Sequence, residues 1–167
     1  MNAPHVVLTP MTQAEYEGWR AAAEVGYAQS FVDAGALALA DAQERSVTQF
    51  AELLPDGLAT PGHLLMTARD GDQRVGMIWL ELTETAMGLE AFGYDFRVEP
   101  ALRRRGYGRA VMLATERECV TRGVVAVGLN VFGHNDGARA LYESMGFEVV
   151  STNMKRHLGG SHLGGSR

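Results

Sequence analysis

The chain has 167 residues, of which 46% are hydrophobic and 21% charged, and a formal net charge of -5. This length fits a single globular domain with a sizeable core. The acidic balance argues against a nucleic-acid or membrane partner, and no apolar run approaches the ~18 residues of a membrane span. A single cysteine, Cys119, excludes an internal disulfide, and the histidines lack ligand spacing, so we expect no metal. The first residues show no signal-peptide pattern, and we expect a cytoplasmic protein.

The predicted helices and strands follow one another in an irregular order. In chain order they are a strand at 6–8, a helix from Gln13 into the low thirties, a helix at 39–54, strands at 63–68, 73–82 and 91–98, a helix at 109–122, a strand at 124–131, a helix after Asn135 and a strand at 148–155. Thr12 predicts a cap for the first helix, with Glu15 in its first turn, and Asp70-Gly71-Asp72 predicts a hairpin. The order β-α-α-β-β-β-α-β-α-β predicts an α/β (α+β layered) domain on a mixed sheet.

The domain is predicted to take in residues 1–158, and no internal repeat is visible in them. The remaining residues, 159–167, read G-G-S-H-L-G-G-S-R, which is typical of a flexible linker. They also resemble a remnant of cloning, and we leave them outside the predicted fold.

A basic glycine turn separates the predicted strand at 91–98 from the next helix. The residues from Val98 to Gly108 read V-E-P-A-L-R-R-R-G-Y-G. Backbone N–H groups at a helix start lack intrahelical partners, and the helix dipole adds positive charge there. Gly106 and Gly108 let a phosphate approach that backbone. The pattern suits docking of a pyrophosphate-bearing cofactor, because the same point is surrounded by the cations Arg103, Arg104, Arg105 and Arg109.

Two other interpretations stay open on the turn alone. A solvated basic turn can simply start a helix. A dinucleotide-binding turn needs the pattern G-x-G-x-x-G, but Val111 stands where its third glycine belongs. The acidic ribose ligand expected ~20 residues later is also missing, because the apolar residues 124–129 occupy that region. The dinucleotide-binding interpretation is therefore disfavoured.

A second pattern lies around the last predicted helix. Residues 129–147 read L-N-V-F-G-H-N-D-G-A-R-A-L-Y-E-S-M-G-F. Asn135 can N-cap a helix, apolar residues recur every three or four positions, and Gly146 stands at a C-cap position. Together with R-x-x-G-x-G at the glycine turn, this pattern resembles the two cofactor motifs of the GNAT superfamily of N-acetyltransferases. The resemblance extends over residues 6–156 and is close to one bacterial subgroup for which no acceptor is agreed.

The resemblance implies a GNAT fold, with a mixed, mostly antiparallel central sheet flanked by helices on both faces. It implies acetyl-CoA as the acyl donor, with its pyrophosphate held by the turn residues Arg103, Arg104, Arg105, Gly106, Tyr107, Gly108 and Arg109. The backbones of Phe96 and Val98 would pair with the pantetheine arm, and an N–H near Val98 would polarise the thioester carbonyl. Asn135 would hydrogen-bond the pantetheine, and Tyr142 would bind the cofactor and protonate the departing thiolate.

The general base follows less directly from the sequence. Histone-modifying relatives carry a glutamate early in the strand before the turn, at the position that is Phe92 here. Glu90 shares the face of Phe92, because side chains alternate along a strand. Asp95, inside an otherwise apolar strand, is the second candidate, since a buried charge needs a partner or a task. A structural partner for Asp95, at Arg97 or Arg74, and a chain of water molecules as the base both stay open.

The resemblance therefore implies an acyltransferase that moves an acetyl group from acetyl-CoA to an amine of a small molecule or peptide, by direct transfer in a ternary complex. A non-catalytic acyl-CoA-binding or regulatory module is the alternative, and loss of Tyr142 would favour it, but Tyr142 is present. His63 and His134 flank predicted strand ends. For each histidine two roles stay open, a polar cap of the loop and binding of the acceptor. The family often forms dimers, so a homodimer is open, although no segment identifies an interface.

Overall fold

The computed structural model describes residues 4–33, 35–131, 135–152, 154 and 156. Its elements are, in chain order, β1 (Val7–Pro10), α1 (Gln13–Asp33), α2 (Leu39–Leu53), β2 (His63–Asp70), β3 (Gln73–Thr85), β4 (Gly88–Val98), α3 (Tyr107–Thr121), β5 (Ala126–Leu129) and α4 (Asp136–Ser144). Short 3-10 turns precede β2 at Gly57–Ala59 and follow β4 at Pro100–Leu102. The predicted order of helices and strands is confirmed as far as α4.

The chain divides into two compact units, Met1–Phe132 and Gly133–Arg167. The first unit holds a five-stranded sheet in the order β1-β2-β3-β4-β5. Neighbouring strands are antiparallel from β1 to β4, whereas β5 runs parallel to β4. The sheet is therefore mixed and mostly antiparallel, as the resemblance implied. That residues 1–158 form a single domain stays a prediction, and the tail at 159–167 lies outside the described residues.

Helices pack on both faces of this sheet. One buried cluster joins α1 and α2 to one face through Trp19, Phe50, Leu65, Met77 and Trp79. A second buried cluster joins α3 to the other face through Ala68, Val75, Val111 and Ala114. Leu65 and Ala68 of β2 point to opposite faces because side chains alternate along a strand. Each large apolar side chain buried in this way contributes roughly 1.5–3 kcal/mol, so both helical layers hold the sheet firmly.

Local sequence signals fix the start of α1 and the turn between β2 and β3. Thr12 and Glu15 form a reciprocal capping box: the Thr12 N–H donates to Glu15 Oε2 (2.9 Å), and the Glu15 N–H donates to Thr12 Oγ1 (3.3 Å). Gly71 has a φ of +58° in the tight turn that joins Asp70 to Gln73. The predicted helix cap and the predicted hairpin are both confirmed.

The predicted closing strand at 148–155 is wrong for the part of that segment that the structure describes. Residues 147–152 and 154 carry no strand, and Val149 and Val150 are 64% and 95% exposed. Adjacent valines favour a strand by propensity, but a strand is stable only where it finds a partner strand and buries one face. Propensity alone therefore misled the prediction here.

An irregularity in β4 decides which side chains reach the α1–α2 face. Trp79 of β3 is opposite Asp95 of β4, and Leu80 is opposite Gly93, so Tyr94 is one extra residue between two regular pairs. Such a β-bulge bends the strand and re-aims a side chain. Tyr94 and Asp95 follow one another in sequence, yet both contact tryptophans on the α1–α2 side of the sheet.

The ladder between β4 and β5 is short. It runs from Glu90 opposite Ala126 to Gly93 opposite Leu129, whereas β4 continues to Val98. Residues 94–98 of β4 therefore extend past the end of β5. Beyond the end of a neighbouring strand, an extended chain can add to a sheet edge through main-chain hydrogen bonds.

Candidate active site

The glycine turn joins the end of β4 to the start of α3. After the 3-10 turn at Pro100–Leu102, Arg104 has a φ of +62°, and Gly106 has a φ of +86° as the N-cap of α3. A left-handed residue next to a right-handed one, as Gly106 is next to the helical Tyr107, directs successive N–H groups into a concave nest that binds anions. This nest coincides with the N-terminal end of a 15-residue helix, whose dipole favours negative charge. The backbone of the turn therefore suits a phosphate group.

The arginines of the turn lie on its surface. Arg103, Arg104, Arg105 and Arg109 are all exposed. In the described part of the chain, the first three form no ion pair. Arg103 Nε donates to the Val98 carbonyl oxygen (3.2 Å), which joins the turn to the end of β4. The turn thus combines a nest of N–H groups with exposed cations.

The first residue of α3, Tyr107, is bound to the hairpin between β2 and β3. Its hydroxyl donates to Asp70 Oδ2 (3.1 Å), and this hydrogen bond raises the pKa of Tyr107. Pro4 lies beside the turn, where a Cβ added to Gly106 would be 3.7 Å from the Pro4 Cδ. That distance is ordinary contact, so the protein itself has room for a Cβ. The positive φ of Gly106 is what requires glycine within the protein.

The bulge in β4 brings Tyr94 into an aromatic cluster, which we define as His63, Trp79, Glu81, Phe92 and Tyr94. The Tyr94 ring stacks on Trp79 (centroids 4.6 Å apart, interplanar angle 21°), and Phe92 packs edge-on against it (5.1 Å, 77°). The Tyr94 hydroxyl donates to Glu81 Oε2 (2.8 Å). Burial, and then the bond to Glu81, raise the pKa of Tyr94 to about 12. Tyr94 is nevertheless 38% exposed, so one side of the aromatic cluster faces solvent.

His63 belongs to the same cluster and is held as a neutral imidazole. The Trp79 indole N–H donates to His63 Nδ1 (2.9 Å), so the proton of the neutral ring lies on Nε2. Burial lowers the pKa of His63, and the nearby Glu81 carboxylate opposes that change. In this tautomer His63 offers a donor at Nε2 rather than a base. The other histidine considered from the sequence, His134, lies outside the described residues.

The two carboxylates predicted as candidates for the general base have different surroundings. Asp95 accepts from the Trp19 indole N–H (2.9 Å) and pairs with Arg97 (2.8 Å). The structural partner that the sequence left open is therefore Arg97. Glu90 accepts from the Thr85 hydroxyl (3.0 Å), beside the hairpin at the other end of β4. The catalytic roles of Asp95 and Glu90 stay predictions.

Sequence reasoning missed Glu81 as a residue of the candidate site. Glu81 is opposite Phe92 in the register of β3 and β4, and such a register joins residues that are distant in sequence. Alternation along the predicted strand at 73–82 does place Glu81 on the same face as Trp79. That signal could have identified the face of Glu81, but not its contact with Tyr94.

The second unit contains the helix that carries the Asn135 and Tyr142 motif. Asn135 Oδ1 accepts the Ala138 N–H (3.2 Å), which confirms the predicted N-cap. Gly146 has a φ of +89°, and the Phe147 N–H donates to the Tyr142 carbonyl (3.1 Å), which is the Schellman end that the glycine predicted. The Tyr142 side chain is 8% exposed, and its ring lies 5.5 Å from that of Phe147. Residues of the motif thus fix both ends of α4.

Three further observations bear on the chemistry of the chain. Among the residues that the structure describes, no group of three or more His, Cys, Asp or Glu side chains is arranged to hold a metal ion. No described helix is both long and apolar enough to cross a membrane. Cys119 is buried in α3, and burial raises the pKa of its thiol, which makes it a poor nucleophile.

Comparison with known proteins finds a matching family and relatives that are named as acetyltransferases. The sequence profile of the acetyltransferase (GNAT) family matches residues 28–147. YycN of Bacillus subtilis, an uncharacterised N-acetyltransferase, is 34% identical over 154 residues, which are 92% of this chain and 99% of YycN. The crystal structure of YycN matches with a TM-score of 0.85 over 93% of this chain and 99% of that one. The mycothiol acetyltransferase of Beutenbergia cavernae is 33% identical over 141 residues, which are 84% of this chain and 43% of that protein.

Proposed function

The chain belongs to the GNAT family and is an acetyltransferase, and we propose that it moves an acetyl group from acetyl-CoA to an amine of a small molecule or peptide. The observation that carries this proposal is the left-handed Gly106 at the start of α3, with exposed arginines around it. The transfer is direct, within a ternary complex of enzyme, acetyl-CoA and amine. We place this reaction in the cytoplasm.

The chain offers the cofactor two binding surfaces in its first unit. The N–H groups of the glycine turn bind the pyrophosphate, and the exposed arginines neutralise its charge. Phe96 and Val98 align the pantetheine arm along β4, past the point where the ladder with β5 stops at Gly93. Arg103 positions this edge through its bond to the Val98 carbonyl. By resemblance to the family, we also assign Asn135 a hydrogen bond to the pantetheine.

Acetyl transfer needs a neutral amine, a polarised thioester carbonyl and a proton for the leaving thiolate. A backbone N–H near Val98 donates to the carbonyl oxygen, where negative charge develops during the reaction. Tyr142 gives its hydroxyl proton to the thiolate. Glu90 and Asp95 are the two carboxylates that the sequence proposes for removing the proton of the amine.

A thermal-shift titration with acetyl-CoA, free CoA, longer acyl-CoAs and NADH tests the proposed function. A ligand at 100 times its dissociation constant adds roughly 2.7 kcal/mol to the free energy of unfolding, which raises the melting temperature measurably. We expect a shift with CoA species and none with NADH. A shift with acetyl-CoA would then justify a screen of amines by thiol release.

Each outcome decides between the interpretations of the turn. If no CoA species raises the melting temperature, the glycine turn only starts a helix and the proposed cofactor site is wrong. A shift with NADH alone would restore the dinucleotide-binding interpretation. Larger shifts with longer acyl-CoAs than with acetyl-CoA would change the proposed acyl group but keep the site.

A further inference from the structure

One carboxylate of the aromatic cluster, Glu81, has no part in the cofactor turn. We propose that Glu81 and the ring of Tyr94 bind the ammonium group of a primary-amine acceptor, and that the Glu81 carboxylate takes a proton from it. This inference rests on the proposed function, because acetyl transfer requires a neutral amine. Alkyl amines resemble the lysine side chain, with a pKa of about 10.4, and are therefore protonated at neutral pH.

The hydrogen bond between Tyr94 and Glu81 leaves the Glu81 carboxylate able to accept a second hydrogen bond. Glu81 Oε2 accepts the Tyr94 hydroxyl (2.8 Å), whereas a carboxylate offers about four lone-pair sites on its two oxygens. One face of the Tyr94 ring lies on Trp79 (4.6 Å). Phe92 packs edge-on against the same ring (5.1 Å), and Tyr94 is 38% exposed, so part of the ring stays accessible to a ligand from solvent. A cation close to an aromatic ring is attracted by the negative potential of the ring face.

The charges around Glu81 favour a cationic ligand. Within the described ranges of the chain, no Lys or Arg forms an ion pair with Glu81. His63 is the titratable neighbour on β2, and its lowered pKa keeps the imidazole neutral at neutral pH. Tyr94 on β4 keeps its phenol proton, since its pKa is raised. Asp95, by contrast, is already paired with Arg97.

The position of Glu81 in the sheet fits an acceptor site beside the cofactor edge. Glu81 is opposite Phe92, and Tyr94 lies two residues further along β4. Tyr94 is also two residues before Phe96, a distance of roughly 7 Å along a strand. An ammonium group held between Glu81 and Tyr94 therefore lies next to the edge where the pantetheine arm is proposed to run. Glu90 lies in the opposite direction, towards the hairpin.

The proposed step balances protons and electrons. An N–H bond of the ammonium group breaks, its proton goes to the Glu81 carboxylate, and the nitrogen keeps the electron pair. That pair forms the C–N bond to the thioester carbon while the C–S bond breaks. The thiolate takes a proton from Tyr142. After the attack the nitrogen carries two hydrogens; one of them leaves as a proton and restores the hydroxyl of Tyr142, and the amide keeps the other. Glu81 then returns its proton to solvent.

The binding test uses 1,4-diaminobutane as the cationic probe and 1,4-butanediol as its neutral match. In isothermal titration we expect the diamine to bind the wild-type chain and the diol to bind no variant. Glu81→Gln keeps the shape and the acceptor for Tyr94 but loses the charge, so diamine affinity falls about tenfold, which corresponds to ~1.4 kcal/mol. Tyr94→Ala weakens binding more than Tyr94→Phe, because only alanine removes the ring. The control variant is Glu84→Gln, at the exposed end of the same strand. We expect it to bind the diamine with wild-type affinity.

The kinetic test compares Glu81→Gln with Glu90→Gln and Asp95→Asn. Removing a general base lowers turnover by about 10²–10⁴-fold, and we expect this loss for Glu81→Gln with the diamine. The loss shrinks as the pH rises, because more of the amine is then neutral in solution. Thermal shifts with acetyl-CoA stay unchanged in this variant, which separates failure of this inference from failure of the proposed cofactor site. Equal diamine binding in the wild type and Glu81→Gln, or no binding by the wild type, would overturn the inference.

Discussion

The indole N–H of Trp19 donates to a carboxylate oxygen of Asp95 over 2.9 Å, although the two residues lie 76 positions apart. Arg97 pairs with the same carboxylate, and Trp19 itself is 4% exposed. This contact ties α1 to the bulge of β4. It therefore fixes α1 relative to the residue next to Tyr94, on the side of the sheet where we place the acceptor.

Replacing Trp19 with phenylalanine keeps an aromatic ring but removes the donor to Asp95. We expect the free energy of unfolding in urea to fall by about 1.5–3 kcal/mol from the lost bond, because hydrogen bonds to charged groups contribute that much. Trp79→Phe is the matched control. It removes the same indole volume, but the hydrogen bond that it removes goes to the neutral His63 and not to a carboxylate. Equal losses for the two variants would show that ring volume, and not the bond to Asp95, stabilises this region.

A valine in place of Gly106 should abolish the thermal shift with acetyl-CoA. Its side chain blocks the approach of a phosphate, and its φ of +86° is unfavourable for any L-residue by roughly 1–2 kcal/mol. Gly123→Val carries the same strain, because Gly123 has a φ of +79° and open space for a Cβ. This control should lose stability but keep its acetyl-CoA affinity. Wild-type acetyl-CoA affinity in Gly106→Val would contradict the phosphate site.

Removing the hydroxyl of Tyr142 should lower turnover far more than acetyl-CoA affinity. Loss of a general acid lowers rates by about 10²–10⁴-fold, whereas the ring of phenylalanine keeps the packing against Phe147. Steady-state kinetics and calorimetric binding measure the two effects separately. Tyr27→Phe, which removes a hydroxyl bound to Gln49 (2.7 Å), is the control outside the site. Equal losses of rate and affinity would refute the acid role.

The phenol of Tyr94 should titrate later than an ordinary tyrosine. Its pKa in the folded chain is about 12, against 10.0 for an unperturbed tyrosine. Between these values the folded chain holds the proton more tightly than the unfolded one. The resulting stabilisation is complete below the unfolded pKa and is lost as the pH rises through the folded pKa. Ultraviolet titration should show a late phenolate step that disappears in Tyr94→Phe; an unchanged curve would contradict the raised pKa.

Local rules predicted the parts of the fold that depend on neighbouring residues. Thr12 and Glu15 are three positions apart and cap one another, and Gly146 has the left-handed backbone that its place after a helix predicts. The contact between Glu81 and Tyr94 depends instead on a register shift between two strands. A one-residue bulge has no signature in hydrophobic periodicity, so sequence reasoning could not place this pair.

The segment after α4 also shows that sequence reasoning cannot predict contacts between distant parts of the chain. Val149 and Val150 have the side chains of a strand, but their exposure shows that neither is covered. Whether such residues join a sheet depends on a neighbour elsewhere in the chain, which propensity does not describe.

Because Tyr94 is the extra residue of the bulge in β4, it can be deleted without changing the register between β3 and β4. Because Gly93 and Asp95 are already opposite the consecutive residues Leu80 and Trp79, excising Tyr94 would leave an uninterrupted ladder. No residue on either side would change face. A single codon gained or lost at this point therefore alters the acceptor side of the sheet while the cofactor turn keeps its register.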